Sequence, residues 1–278
     1  MNKYLISILG PTAIGKTKLA INLAEKYSTE IISADSRQFY KELNIGAAKP
    51  SNNDLNRVKH HLINNKSVID NYSIGEFERD AIKNITKIHK KADIAILVGG
   101  SGLYLDVINY GLDQIPKSDE NIRDFLNNEF KLKGLNHIQN ELKEKDLISF
   151  NSIDLNNPRR IIRALEVTIS NGKPYSSLLK KKNNKRNFKT IEIGLKDDRE
   201  LIYNRINNRV DKMIANGLVN EVNDLVQHKE LNSLNTIGYK EVFDYLEGKS
   251  DLDNAINEIK KNTRRYAKRQ MTWFNSNN

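Results

Sequence analysis

Eight residues near the N-terminus do most to limit what this chain can become: Gly10-Pro11-Thr12-Ala13-Ile14-Gly15-Lys16-Thr17. The spacing G-x-x-x-x-G-K-[ST] is that of a phosphate-binding P-loop. In such a loop successive backbone N–H groups and a helix N-terminus face an anion, the lysine adds a charge, and the hydroxyl can hold Mg²⁺. The loop needs a strand before it and a helix after it. Tyr4–Leu9 is a continuous apolar run, and Lys16–Tyr27 places Leu19, Ala20, Leu23 and Ala24 on one helical face. Glu30–Ala34 and Asp93–Val98 are further predicted strands. Between them Phe77–Lys90 carries Phe77, Ala81, Ile85 and Ile88 at helical spacing. Strands alternating with helices predict a parallel sheet with helices on both faces.

Pro116 marks a change of pattern. From Asp119 to about Lys180 the chain is helical and polar, and it ends in the cationic run Lys180-Lys181-Lys182-Asn183-Asn184-Lys185-Arg186. Thr190–Leu195 returns as a short apolar strand, and the remainder is helical. The predicted architecture is α/β: a P-loop NTPase-like parallel-sheet core over 1–115 and 189–278, a helical insertion over 116–188, and a helical C-terminal region. A chain of 278 residues buries enough surface to need no disulfide or metal staple. It contains no cysteine, which excludes a disulfide framework, a Cys-ligated zinc, an iron–sulfur cluster and a thiol nucleophile, and which suits a reducing cytosol. Apolar runs such as Ile94 to Val98 fall far short of the roughly 18 residues of a membrane-spanning helix. The N-terminal apolar run ends in glycine and proline rather than a cleavage site. No membrane partner is expected, the expected location is cytoplasmic, and a monomer is the default.

Lysine and arginine number 45 against 35 acidic residues, a net charge of +10 that favours an anionic partner. The cations cluster at Arg159-Arg160 with Arg163, at 180–189, and over Arg264 to Phe274, with no acidic residue after Glu258. The last run interleaves aromatics with cations, a composition suited to phosphates and unstacked bases. A P-loop together with three basic segments implies two anionic ligands, one small and one a nucleic acid.

An ordinary P-loop NTPase would end a later strand in a magnesium-holding Asp. Here Ile94-Ala95-Ile96-Leu97-Val98 runs into Gly99-Gly100-Ser101-Gly102 with no carboxylate, and no Asn-Lys-x-Asp guanine-reading element is present. Gly100-Ser101-Gly102 suits a turn that lets backbone approach a ligand closely, with Ser101 offering a hydroxyl. The missing carboxylate has a candidate in Asp35, at the carboxyl end of the second strand, the edge where α/β sheets bind ligands. On spacing alone it is either a cap for the following turn or a general base or metal-linked carboxylate facing the P-loop. The five histidines have no metal-site spacing. Adjacent His60 and His61 are expected on different faces of a helix, and His89, His137 and His228 are scattered.

These blocks together resemble one family, the tRNA dimethylallyltransferases or tRNA isopentenyltransferases. They are GPTAIGKT (10–17), SADSRQFYKELNIGAAKP (33–50), HHLIN (60–64), YSIGEFERDA (72–81), LVGGSGLYLDVI (97–108), PRRIIRALEV (158–167), RVDKMIANGLVNEV (209–222), TIGYKEVFDYLEG (236–248) and TRRYAKRQMTWF (263–274). The resemblance spans nearly the whole chain. It implies transfer of a dimethylallyl group from its diphosphate to the exocyclic amine of the adenosine just 3′ of the anticodon, at tRNA position 37. The P-loop residues Gly10 to Thr17 would then grip a leaving pyrophosphate rather than ATP. By position, Asp35 would be the general base, Thr12 a partner at the reacting end, and Lys16 with Thr17 and Mg²⁺ the diphosphate clamp. The anticodon stem-loop would meet Asp35, Ser36, Arg37 and Gln38, Ser101, Arg123, and Arg159, Arg160, Ile161, Ile162 and Arg163. Further contacts would come from 235–240, with Gly238, Tyr239 and Lys240, and from 266–273, with Lys268, Arg269 and Gln270. The chain departs from the family pattern at Ser101, where threonine is usual, and at Asn156-Asn157, where Asn-Asp is usual.

Two other classes fit parts of the sequence. A P-loop small-molecule kinase would use Asp35 to position an acceptor hydroxyl and would consume ATP, but it leaves the basic C-terminal helix without a role. A non-catalytic RNA-binding protein would not require Lys16, Thr17 and Asp35 together.

Overall fold

The computed structural model describes residues 2–113, 115, 119–179 and 186–276. Pro116 and the cationic run from Lys180 to Lys185 lie outside the described residues. The chain forms two compact units, one of residues 1–110 and 185–278, the other of residues 111–184. These boundaries fall a few residues before the expected ones.

The first unit is built on a five-stranded, all-parallel sheet in the order β3-β2-β4-β1-β5. Its strands are β1 (Tyr4–Leu9), β2 (Ile31–Ser33), β3 (His60–His61), β4 (Ile94–Val98) and β5 (Lys189–Gly194). β1 and β4 are buried runs with Ile6 opposite Ile96, as expected of strands covered on both faces. One face packs on α1 (Lys16–Lys26): Ile6, Ile8, Ile31, Ile96 and Val98 meet Ala20, Ile21 and Ala24. Leu19 and Leu23, expected on that face with Ala20 and Ala24, are only partly buried. A short α2 (Asn52–Arg57) precedes β3, and α3 (Ile74–His89) buries Phe77, Ala81, Ile85 and Ile88 as their spacing predicts. Ser73 and Glu76 form a reciprocal capping box at the α3 N-terminus. After β4 comes α4 (Gly102–Tyr110).

His60 and His61 correct the helical expectation. They form the edge strand β3 beside Ile31 and Ile32, a non-local pairing that no local period announces. Each is held locally, His60 Nδ1 at the Val58 carbonyl and His61 Nε2 at Glu30 Oε2, 2.5 Å away. Among the described residues there is no group of three or more His, Cys, Asp or Glu able to hold a metal ion.

The C-terminal part of this unit is helical: α10 (Arg199–Ala215), α11 (Leu218–Asn223), α12 (Tyr239–Leu246) and α13 (Leu252–Ser276). Val210, Leu218, Val222, Tyr239, Val242, Phe243 and Ile259 from these helices enclose Tyr40 and Leu43. Arg186, counted among the basic residues of the 180–189 cluster, is turned inward. It donates to Glu78 and to the carbonyls of Val107 and Ile108.

The second unit comprises α5 (Glu120–Lys133), α6 (Leu135–Lys145), α7 (Leu147–Ser152), α8 (Pro158–Asn171) and α9 (Tyr175–Leu178). Leu126, Ile138, Leu142, Ile161, Ile162, Ala164 and Leu165 form its core. Among the described residues no helix is long and apolar enough to cross a membrane.

Candidate active site

Parallel neighbours deliver the carboxyl ends of β1, β2 and β4 to one edge of the sheet, where the P-loop, Asp35 and the Gly99–Gly102 turn follow them. Gly10 opens the P-loop at φ +147°, and a Cβ there would stand 2.9 Å from the Leu195 carbonyl oxygen, so only glycine fits. Ala13 and Ile14 pack on Ile202, Ile206, Ala267 and Met271, which seats the crown of the loop on α10 and α13. Lys16 Nζ donates to the carbonyls of Gly10 at 2.9 Å and Pro11 at 2.8 Å. Withdrawal of this ammonium from water lowers its pKa to about 8; Asp35 opposes the fall and Arg209 adds to it.

Asp35 Oδ1 accepts the Arg37 N–H at 2.9 Å, closing an Asx turn. The turn role is therefore real, but a carboxylate has a second oxygen, and Asp35 also acts electrostatically on Lys16, Arg209 and Tyr266. These groups line a cleft of about 1150 Å³. Thr12, Lys16 and Thr17 form one wall, Asp35 to Gln38 another, and Gly238, Lys240, Tyr266 and Arg269 contribute from the C-terminal helices. Gln38 is oriented by the Ser33 hydroxyl, which donates to its Oε1 at 2.9 Å.

Sequence reasoning missed Arg209, which lines the cleft, and Glu221, which supports one of its walls. Arg209 Nη1 donates to Thr12 Oγ1 at 3.2 Å, placing a second cation beside the P-loop. Glu221 accepts the backbone N–H groups of Asn44, Ile45 and Gly46 at 3.0, 2.7 and 3.0 Å, and Tyr239 donates its hydroxyl to the same carboxylate at 2.6 Å. That arrangement staples the wall at Gly46–Ala48. Both residues lie in the block 209–222 that carried the resemblance, and their charges were the available signal.

Several expected RNA contacts have other duties. Tyr239 is fully buried; its ring packs on Gly46, and burial with the Glu221 contact raises its pKa. Gln270 is buried between Thr12 and Gly100. Ser101 lies against the Tyr266 hydroxyl. The close approach that the glycines at 100 and 102 were expected to grant a ligand is taken by α13, because a Cβ at either would strike Gln270 or Trp273. Lys268 and Arg269 are exposed.

In the helical unit, Arg123 Nε and Nη2 and Arg163 Nη1 converge on Oε2 of the buried Glu166, at 3.1, 2.8 and 3.2 Å. Arg159 and Arg160 are exposed on the first turn of α8. Ile161 and Ile162 are core residues, so their side chains offer a partner no surface. Asn157 is the N-cap of α8 and accepts the Arg160 N–H at 3.4 Å. Asparagine and aspartate cap equally well, so the cap survives the lost charge.

The model of the IPP transferase family matches residues 38–277. The tRNA dimethylallyltransferase of Christiangramia forsetii is 54% identical over 274 residues, covering 99% of this chain and 91% of that protein. The chain belongs to the tRNA dimethylallyltransferase family. Among solved structures, the full-length tRNA isopentenylpyrophosphate transferase of Bacillus halodurans is similar at 38% identity and TM-score 0.71, over 99% of this chain and 87% of that one. A eukaryotic dimethylallyltransferase, solved acting on tRNA, is similar at 29% identity and TM-score 0.84, over 98% of this chain and 70% of that one. Nothing in the cleft favours the kinase reading.

Proposed function

We propose that this protein transfers the dimethylallyl group of dimethylallyl diphosphate to the exocyclic amine of the adenosine 3′ of the tRNA anticodon. The observation that carries the reading is a cleft holding both a phosphate grip and a carboxylate in electrostatic contact with it, Lys16 with the P-loop on one side and Asp35 on the other. In the reaction the amine nitrogen bonds to the allylic carbon as the bond from that carbon to the diphosphate oxygen breaks. The amine's lone pair is delocalised into the ring, so it must be held in line with the carbon. Asp35 takes the proton that the amine loses, and pyrophosphate leaves with the electron pair of the broken bond.

Lys16 and the P-loop amides stabilise the charge growing on pyrophosphate, and Arg209, bonded to the Thr12 hydroxyl, adds a second cation at that end. Among the described residues no three His, Cys, Asp or Glu side chains gather to hold a metal, which fits a cation arriving on the diphosphate better than an all-protein cage. Thr17 and the diphosphate oxygens would hold Mg²⁺, which neutralises charge on the leaving group when bound. Reaching the amine requires the base to be turned out of its stack, at a cost of a few kcal/mol recovered in stacking and phosphate contacts. Exposed Lys268 and Arg269 on α13 and Arg159 and Arg160 on α8 are the cations suited to the tRNA backbone.

The test is incubation of the purified protein with tRNA, labelled dimethylallyl diphosphate and Mg²⁺, with and without ATP. Label is expected in tRNA at one adenosine, with pyrophosphate released and ATP untouched. Consumption of ATP, or no label in tRNA, would overturn the reading.

A further inference from the structure

We propose that Gln270 is a positioning residue of the donor site, holding the front of the P-loop in register with the turn after β4. The proposal rests on the transfer reaction above. Gln270 is 6% exposed, and both ends of its amide are used. Oε1 accepts the Thr12 N–H at 2.8 Å, and Nε2 donates to the Gly100 carbonyl at 2.7 Å. Only a side chain that accepts at one end and donates at the other can bridge a backbone N–H and a backbone C=O in this way.

The bridge is built into the helix. Tyr266, Gln270 and Trp273 follow the i, i+4, i+7 spacing of one helical face. They meet consecutive residues of the turn: Tyr266 at Ser101, Gln270 at Gly100 and Trp273 at Gly102. A Cβ on Gly100 would stand 2.4 Å from Gln270 Nε2, so glycine there leaves room for the amide. The consequence falls on Thr12. Gln270 fixes its backbone while Arg209 fixes its hydroxyl, and the next turn of the loop carries Lys16. A side chain so enclosed has no surface left for RNA, and its loss should be felt by the diphosphate rather than by tRNA.

Gln270→Met keeps the volume and removes both bonds. The expected result is a KM for dimethylallyl diphosphate raised about tenfold, with the Kd for tRNA unchanged. Gly100→Ala approaches the same contact from the other side by pushing the amide away. It should raise the donor KM to a similar degree, and the double variant should do no worse than either single one. It also keeps the test open if Gln270→Met folds poorly. A donor KM within twofold of wild type in both variants, additive effects in the double variant, or a weakened tRNA Kd with donor KM unchanged would each overturn the proposal. Binding of inorganic pyrophosphate by calorimetry separates this inference from the reaction itself. If wild type transfers nothing to tRNA, the proposed function fails, yet pyrophosphate bound more weakly by Gln270→Met still supports the positioning role, and equal binding overturns it.

Discussion

Donor binding should depend on pH through Lys16. Burial lowers its pKa from 10.5 to about 8, so before donor binds the ammonium that donates to the Gly10 and Pro11 carbonyls titrates near pH 8. A diphosphate beside it favours the charged form, so binding takes up a proton wherever the free lysine is partly neutral. The lysine's contribution is fully present well below pH 8 and is lost as pH rises through and above that value. With a midpoint at 8, about nine-tenths of the lysine is charged at pH 7 and about one-tenth at pH 9. Affinity for dimethylallyl diphosphate should therefore fall about tenfold between those two pH values, or about 1.4 kcal/mol. Isothermal calorimetry across that range, in two buffers of different ionisation enthalpy, measures both the affinity and the proton uptake. Lys16→Met should bind weakly at pH 7 and lose the pH dependence. A wild-type affinity that is flat from pH 7 to 9, with no proton uptake near pH 8, would refute the reasoning.

Neutralising Lys268 together with Arg269, both exposed on α13, should weaken tRNA binding and flatten the plot of log affinity against log salt by about two phosphates' worth. An unchanged slope in a filter-binding titration would move the RNA elsewhere. Glu221→Ala strips the acceptor from three successive backbone N–H groups and from the Tyr239 hydroxyl. It should cost about 2–4 kcal/mol of stability, seen as a lower Tm and denaturant midpoint, whereas a loss below about 0.5 kcal/mol would mean the Gly46–Ala48 wall is held by other contacts.

What could be read from the sequence was local. The P-loop, the buried strands β1 and β4, and the face of α3 each announce themselves within a window of a few residues, by motif or by period. β3 did not, because His60-His61 is a strand only by virtue of its pairing with Ile31-Ile32. In the site, Asp35 was legible from its place after a strand, and both of its candidate roles survive, since one oxygen closes the turn. Arg209 was illegible as a site residue, and Gln270 was read as an RNA contact rather than as a partner of the P-loop, because Thr12 lies 197 and 258 residues from them in sequence. Buried Tyr239, Ile161 and Ile162 share the opposite lesson. A motif marks a segment, but burial decides which of its side chains faces a ligand.

Whether Asp35 receives the amine proton is decided by Asp35→Asn. Asparagine can keep the bond from the Arg37 N–H and close the same turn, but it cannot act as the base. Single-turnover transfer from saturating dimethylallyl diphosphate to saturating tRNA removes product release from the rate. The rate should fall by about 10²–10⁴, roughly 3–5 kcal/mol of barrier, with Tm essentially unmoved and tRNA binding little changed. A variant that transfers at close to the wild-type single-turnover rate would contradict it and leave Asp35 as a turn residue alone.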